Sequence, residues 1–154
     1  MPETNFDLAP PPKDIDGLHA VPIDIANIVA TLTFDSASGA GIGAATLHFV
    51  AGIEDGCPIF DLRQTITAAW LDGEPVAPGR MRHHDFGGGP DAQLRVLEVP
   101  LPAGTAHRLR IAYSLGPPQA PLPPGKYLPR MEWDDGELVF NFGFTDLLPA
   151  RYLE

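Results

Sequence analysis

His107-Arg108-Leu109-Arg110-Ile111-Ala112-Tyr113 is the stretch on which the fold turns. His107, Leu109, Ile111 and Tyr113 occupy one side and Arg108, Arg110 and Ala112 the other. Successive side chains of an extended chain point to opposite faces, so this period of two reads as a strand half buried in a core. Working back from it, Ile23, Ile25, Ile28, Ala30, Leu32 and Phe34 keep nearly the same alternation, with one change of phase at Asn27 that fits a bulge. A segment rich in Ser and Gly, Asp35 to Gly43, leads into Ala45, Leu47 and Phe49, which predicts a hairpin with His48 facing outward or sideways.

Further short β-prone runs follow. Pro58 to Leu62 and Ile66 to Leu71 are two, and the second ends in Asp72-Gly73, a pair suited to a type I′ turn with a return strand at Val76. Leu94, Val96, an out-of-step Leu97 and Val99 predict another strand, and Met131 to Trp133 with Leu138 to Phe144 a last hairpin about Asp134-Asp135-Gly136. No stretch holds helical apolar spacing for a dozen residues, so the expected fold is all-β, an antiparallel sandwich with little or no helix. Residues 1–20, with Pro10-Pro11-Pro12, read as an extended or flexible arm, and residues 21–154 as the sandwich domain.

Composition narrows the function. The chain has 154 residues, enough for one core, and a formal charge of -10 that repels nucleic acid and anionic membrane surfaces. The opening residues lack a secretory pattern and no apolar run is long enough to span a bilayer, so the expected location is the cytoplasm, with neither nucleic acid nor membrane as a partner. Cys57 is the single cysteine. Bracketed by Gly56 and Pro58 in an expected loop, it reads as a small hydrophobe, not a nucleophile.

His83-His84-Asp85 offers good zinc donors, yet neighbouring residues on an extended chain diverge. A site there, on candidates His83 and His84, would need further ligands such as His48 or His107, and a solvated loop is the simpler reading. Gly87-Gly88-Gly89 lacks the following helix of a phosphate cradle, and Asp134-Asp135-Gly136-Glu137 lacks the ligand spacing of a calcium loop. No catalytic motif is present with the context it needs, so no catalytic residue is assigned. Phe140, Phe142 and Phe144 line one side of the last strand, as core or as a docking face, and the Pro-rich stretch from Pro117 to Pro129 reads as a loop able to present a binding edge.

Several phrases resemble the amino-terminal β domain of aminopeptidase N-type zinc metallopeptidases. They are the strand Ile25 to Phe34, the hairpin into Ala45 to Phe49, Ile59-Phe60-Asp61-Leu62, Leu71-Asp72-Gly73 and Leu109 to Tyr113. The closing run Phe142 to Leu153, with Ala150-Arg151, is similar to the family's junction with its catalytic domain. The resemblance implies a saddle-like, non-catalytic sandwich that contributes structure and one wall of a peptide-binding cleft, with Phe140, Phe142, Phe144, Ala150 and Arg151 at the interface. Zinc would belong to a following catalytic domain, the expected partner, and no cofactor to this chain. The family's Gln or Glu shortly before the junction, which holds the substrate amino group, has no counterpart here. The alternative is a free-standing immunoglobulin-like binding or adhesion module.

Overall fold

The computed structural model describes residues 9, 11–35, 40–87, 93–115, 130–134, 137–141 and 148–150. The strands run β1 (Lys13–Ile15), β2 (Leu18–Val21), β3 (Asp24–Asp35), β4 (Ala40–Val50), β5 (Cys57–Phe60), β6 (Ile66–Leu71), β7 (Glu74–Val76), β8 (His83–Asp85), β9 (Gln93–Val96), β10 (Ala106–Leu115), β11 (Arg130–Asp134) and β12 (Glu137–Asn141). A single 3-10 turn, Pro78–Arg80, is the helical element among the described residues.

Strand β10 lies at the centre of one sheet, ordered β3-β4-β10-β6-β7. Leu109, Ile111 and Tyr113 are buried and Arg108 and Arg110 exposed, as the alternation requires. The phase change in β3 is a register shift between Ile25 and Asn27, beyond which Ile28, Ala30, Leu32 and Phe34 pack against the core. Asp72 and Gly73 both take positive φ, 51° and 88°, the twist that a tight β6–β7 turn demands. The main core joins Leu47, Phe49, Ile111 and Tyr113 of this sheet to Phe60, Leu62, Met81 and Leu97 of the opposing layer.

The opposing sheet has the order β1-β2-β5-β9-β8. Its strands β5 and β9 are buried on both faces: Phe60 points into the main core, while Cys57, Ile59, Leu94 and Val96 join Ile15 and Ala20 in a second cluster. Strands β2 and β5 pair in parallel, Ala20 with Cys57. The long β3–β4 excursion between them supplies the crossover that parallel pairing needs.

Four local expectations are corrected. Among the described residues paired backbone begins at Lys13, ahead of Val21, because Asp16-Gly17 makes a second tight turn with φ of 49° and 80°. Cys57 opens β5 and is buried, where desolvation first, and then the charge of Glu98, raise its thiol pKa against the opposing effect of Arg80. Strand β9 stops at Val96, since Leu97 turns into the main core and bonds its N–H to the Pro58 carbonyl at 2.9 Å. Finally, β4 starts at Ala40 and takes in Gly41 and Gly43, glycines that sequence alone assigns to the loop. They belong to the strand because Leu115 and Tyr113 of β10 lie over them, and a Cβ on Gly43 would stand 2.4 Å from the Tyr113 ring.

Candidate functional site

The histidine pair is a strand and not a solvated loop. Strand β8 pairs with β9, His83 opposite Arg95 and His84 opposite Leu94, and the two imidazoles leave opposite faces. His83 donates from Nε2 to the Leu62 carbonyl at 3.2 Å. Burial, reinforced by the positive charge of Arg95, pulls its pKa down to about 4 and keeps it neutral at pH 7. His84 is 4% exposed, with Nδ1 2.6 Å from Asp16 Oδ2 and Nε2 3.7 Å from Glu98 Oε1. Glu98 Oε1 also accepts from Arg82 Nη2 at 2.6 Å. Each histidine is therefore engaged separately, and no group of three or more His, Cys, Asp or Glu among the described residues could hold a metal ion.

Arg95, which sequence reading passed over, organises this end of the fold. Its guanidinium is buried and donates to the carbonyls of Leu62 at 2.8 Å, Met81 at 2.6 Å and Gln64 at 2.6 Å. Desolvation lowers its pKa to about 10, partly offset by Asp61, and the group stays charged. Three carbonyl acceptors replace the lost hydration, a structural role that fixes residues 62–64 against β9. Only its place at a core-facing strand position, between Leu94 and Val96, could have signalled it.

His107 lies on the other sheet, at the rim of the main core, with its ring centroid 5.8 Å from that of Phe49. Nδ1 is 2.6 Å from Asp72 Oδ2, and Nε2 is 2.6 Å from Thr105 Oγ1. The row Thr105-His107-Asp72 has the outline of a hydroxyl–imidazole–carboxylate relay. The Thr105 hydroxyl also lies 2.7 Å from the Pro102 carbonyl, which can only accept, so the carbonyl and the imidazole compete for its single proton. The row clamps the Asp72 turn, whose carboxylate also accepts from the Arg108 N–H at 2.8 Å, onto β10. His48 shares with His107 a 410 Å³ depression bordered by Asp72 and Arg108, remote in topology from His83 and His84 on the opposite sheet.

The outward face of β4, β10 and β6 carries a separate cleft of 520 Å³. Val29, Thr46, His48, Trp70, Arg108 and Arg110 line it, with the Arg110 guanidinium stacked 5.1 Å from the Trp70 ring centroid. Alternation along β10 sets the arginines outward, and the register brings Trp70 of β6 opposite Arg110, a pairing no local pattern contains.

The junction residues divide. Ala150 forms two backbone bonds with Asp61, at 2.7 and 2.8 Å, which return the end of the chain to the residue after β5. Phe140 contributes backbone to the β11–β12 hairpin. Its side chain lies outside the described residues, as do Phe142, Phe144, Arg151 and the stretch from Pro117 to Pro129.

No protein-family model matches the chain, and no curated protein does. Solved structures do. One is a mutant of the M1 zinc metallopeptidase from Deinococcus radiodurans bound to a Tyr-Ser-Ala substrate, 22% identical with a TM-score of 0.50. A second structure of the M1 zinc metallopeptidase from the same organism is 23% identical with a TM-score of 0.49. Each likeness covers 84% of this chain and 29% of the metallopeptidase chain. The all-β sandwich of this protein accordingly has the fold of a portion, and not the whole, of an M1 zinc metallopeptidase.

Proposed function

We propose that the chain is a non-catalytic β module of an aminopeptidase-like metallopeptidase, acting beside a separate catalytic domain. The observation that carries this is the fold likeness to the M1 enzyme over 84% of the chain, against 29% of the enzyme. The contents of the site agree with it. His83 and His84 are held by Leu62 and Asp16, the Thr105 hydroxyl is shared with the Pro102 carbonyl, and the buried Arg95 is spent on backbone carbonyls. In this reading zinc and the general base belong to the catalytic domain, and this chain supplies structure and one wall of a peptide cleft near Ala150, in the cytoplasm. The immunoglobulin-like alternative gains no support from two five-stranded sheets that include a parallel β2–β5 pair.

The test is to purify the 154-residue chain, measure zinc by atomic absorption, and assay hydrolysis of aminoacyl p-nitroanilides. No stoichiometric zinc and no turnover are expected. Joining the chain to an M1 catalytic domain that lacks its own β domain should then raise that domain's peptidase activity. Zinc bound one-to-one by this chain, or turnover by it alone, would overturn the proposal.

A further inference from the structure

The outer face of the β3-β4-β10-β6-β7 sheet departs from the rest of this acidic chain. Its register sets Val29, Thr46, Arg110 and Trp70 in one row across four strands and Asn27, His48 and Arg108 in the next. Both arginines stand on one face, two positions apart on the central strand, in a chain whose net charge is -10. Among the described residues neither guanidinium is in a salt bridge: Arg110 stacks on Trp70, and Asp72, at the margin of the face, engages Arg108 through its backbone N–H. Beyond this basic end, Thr31, Thr33, Ile42, Ala44, Ala112 and Ser114 border a shallow groove of 320 Å³. Val29 and Ile42, 65% and 64% exposed, are two of the three large hydrophobics left most open to solvent among the described residues, and both lie on this face.

We infer that this face is a docking groove for an extended, acidic and aliphatic segment of a partner protein. Carboxylates of the segment meet Arg108 and Arg110, which present planar forks suited to them. Its aliphatic side chains cover Val29 and Ile42, where the small side chains of Thr31, Ala44 and Ala112 leave room. The face from Arg108 to Ser114 is about 20 Å long at the usual rise of a strand, the reach of about six residues of extended chain. Charge complementarity chooses the sign of the partner: an acidic segment is repelled by most of this protein's surface and attracted here, which concentrates it on one face. The inference stands on the face alone and does not depend on the metallopeptidase reading.

A fluorescein-labelled nine-residue peptide of alternating Glu and Val, titrated with the 154-residue chain and followed by anisotropy at low salt, tests it. Saturable binding that weakens as salt rises is expected, with an alternating Lys and Val peptide at least about tenfold weaker. The exposed double substitution Arg108→Ser/Arg110→Ser, and separately Ile42→Asp, should each weaken the acidic peptide by about tenfold or more. Arg108→Lys/Arg110→Lys, which keeps both charges, should stay within a few-fold of the parent and controls for loss of fold. No saturable binding, equal binding of the two peptides, or unchanged affinity in the serine variant overturns the inference. So does competition by inorganic phosphate together with an Ile42→Asp variant that binds normally, which would make the face a small-anion site.

Discussion

His107 Nδ1 lies 2.6 Å from Asp72 Oδ2, and this bond ties the tight β6–β7 turn to the first residues of β10. The same construction recurs on the opposite sheet, where Asp16 of the β1–β2 turn meets Nδ1 of His84 at 2.6 Å. In both hairpins an Asp-Gly pair supplies the turn conformation, and the freed Asp carboxylate anchors a histidine from a distant strand. Turn chemistry and long-range pairing are thus joined in one residue.

Asp72→Asn keeps a residue that tolerates the left-handed conformation but removes the charge, so its effect isolates the clamp. A loss of about 1 kcal/mol in urea unfolding at pH 7 is expected. The folded-state pKa of Asp72 is lowered: burial raises it, but the bonds from His107 and the Arg108 N–H outweigh burial. The clamp's contribution is therefore complete above the unfolded carboxylate pKa and fades as pH falls through the depressed folded value. The Asp72→Asn protein should lack that acid-side decline.

His83 gives a second acid-side effect with a different window. Its pKa is about 4 in the folded chain against an ordinary 6.5, so the unfolded state binds the extra proton first. Stability should be full above pH 6.5 and fall as pH drops toward 4, by about 1–2 kcal/mol once solvent screening of a part-exposed ring is allowed for. Chemical denaturation between pH 4 and 7 measures the slope. His83→Gln, which can still donate to the Leu62 carbonyl, should flatten it.

Arg95→Met replaces a buried cation by an apolar chain and strands the carbonyls of Met81 and Gln64, while that of Leu62 keeps the His83 donor. A loss of about 2 kcal/mol is expected, because each unsatisfied buried acceptor costs on the order of 1 kcal/mol even after methionine packs well. Arg95→Lys should recover only part of it, since an ammonium cannot span the acceptors at Leu62, Gln64 and Met81. Hydrogen exchange near residues 62–64 should quicken in both variants.

Gly43→Ala drives a methyl group into the Tyr113 ring, which lies 2.4 Å from the added carbon. Tyr113 is 1% exposed in the main core, so the ring has little freedom to move aside. A loss of about 2 kcal/mol or more is expected. In a double-mutant cycle Gly43→Ala should cost much less on a Tyr113→Leu background; additive losses would show that the ring does not cover the glycine.

Local sequence pattern is enough to specify the fold class and much of the strand inventory. Alternation in β10 and β3, the bulge before Asn27 and the Asp72-Gly73 turn are local properties, written in neighbouring side chains and backbone preferences. Tertiary structure alone decided which strands lie together, and with that the character of the candidate sites. Gly43 reads as loop until Tyr113 of β10 is laid over it, and His84 reads as solvated until β9 pairs with it and Asp16 closes on it. Arg110 is one outward cation among ten Lys and Arg until the register sets Trp70 beside it. Burial, pKa and clefts arise from contacts between residues far apart in the chain, and no window of sequence contains both partners.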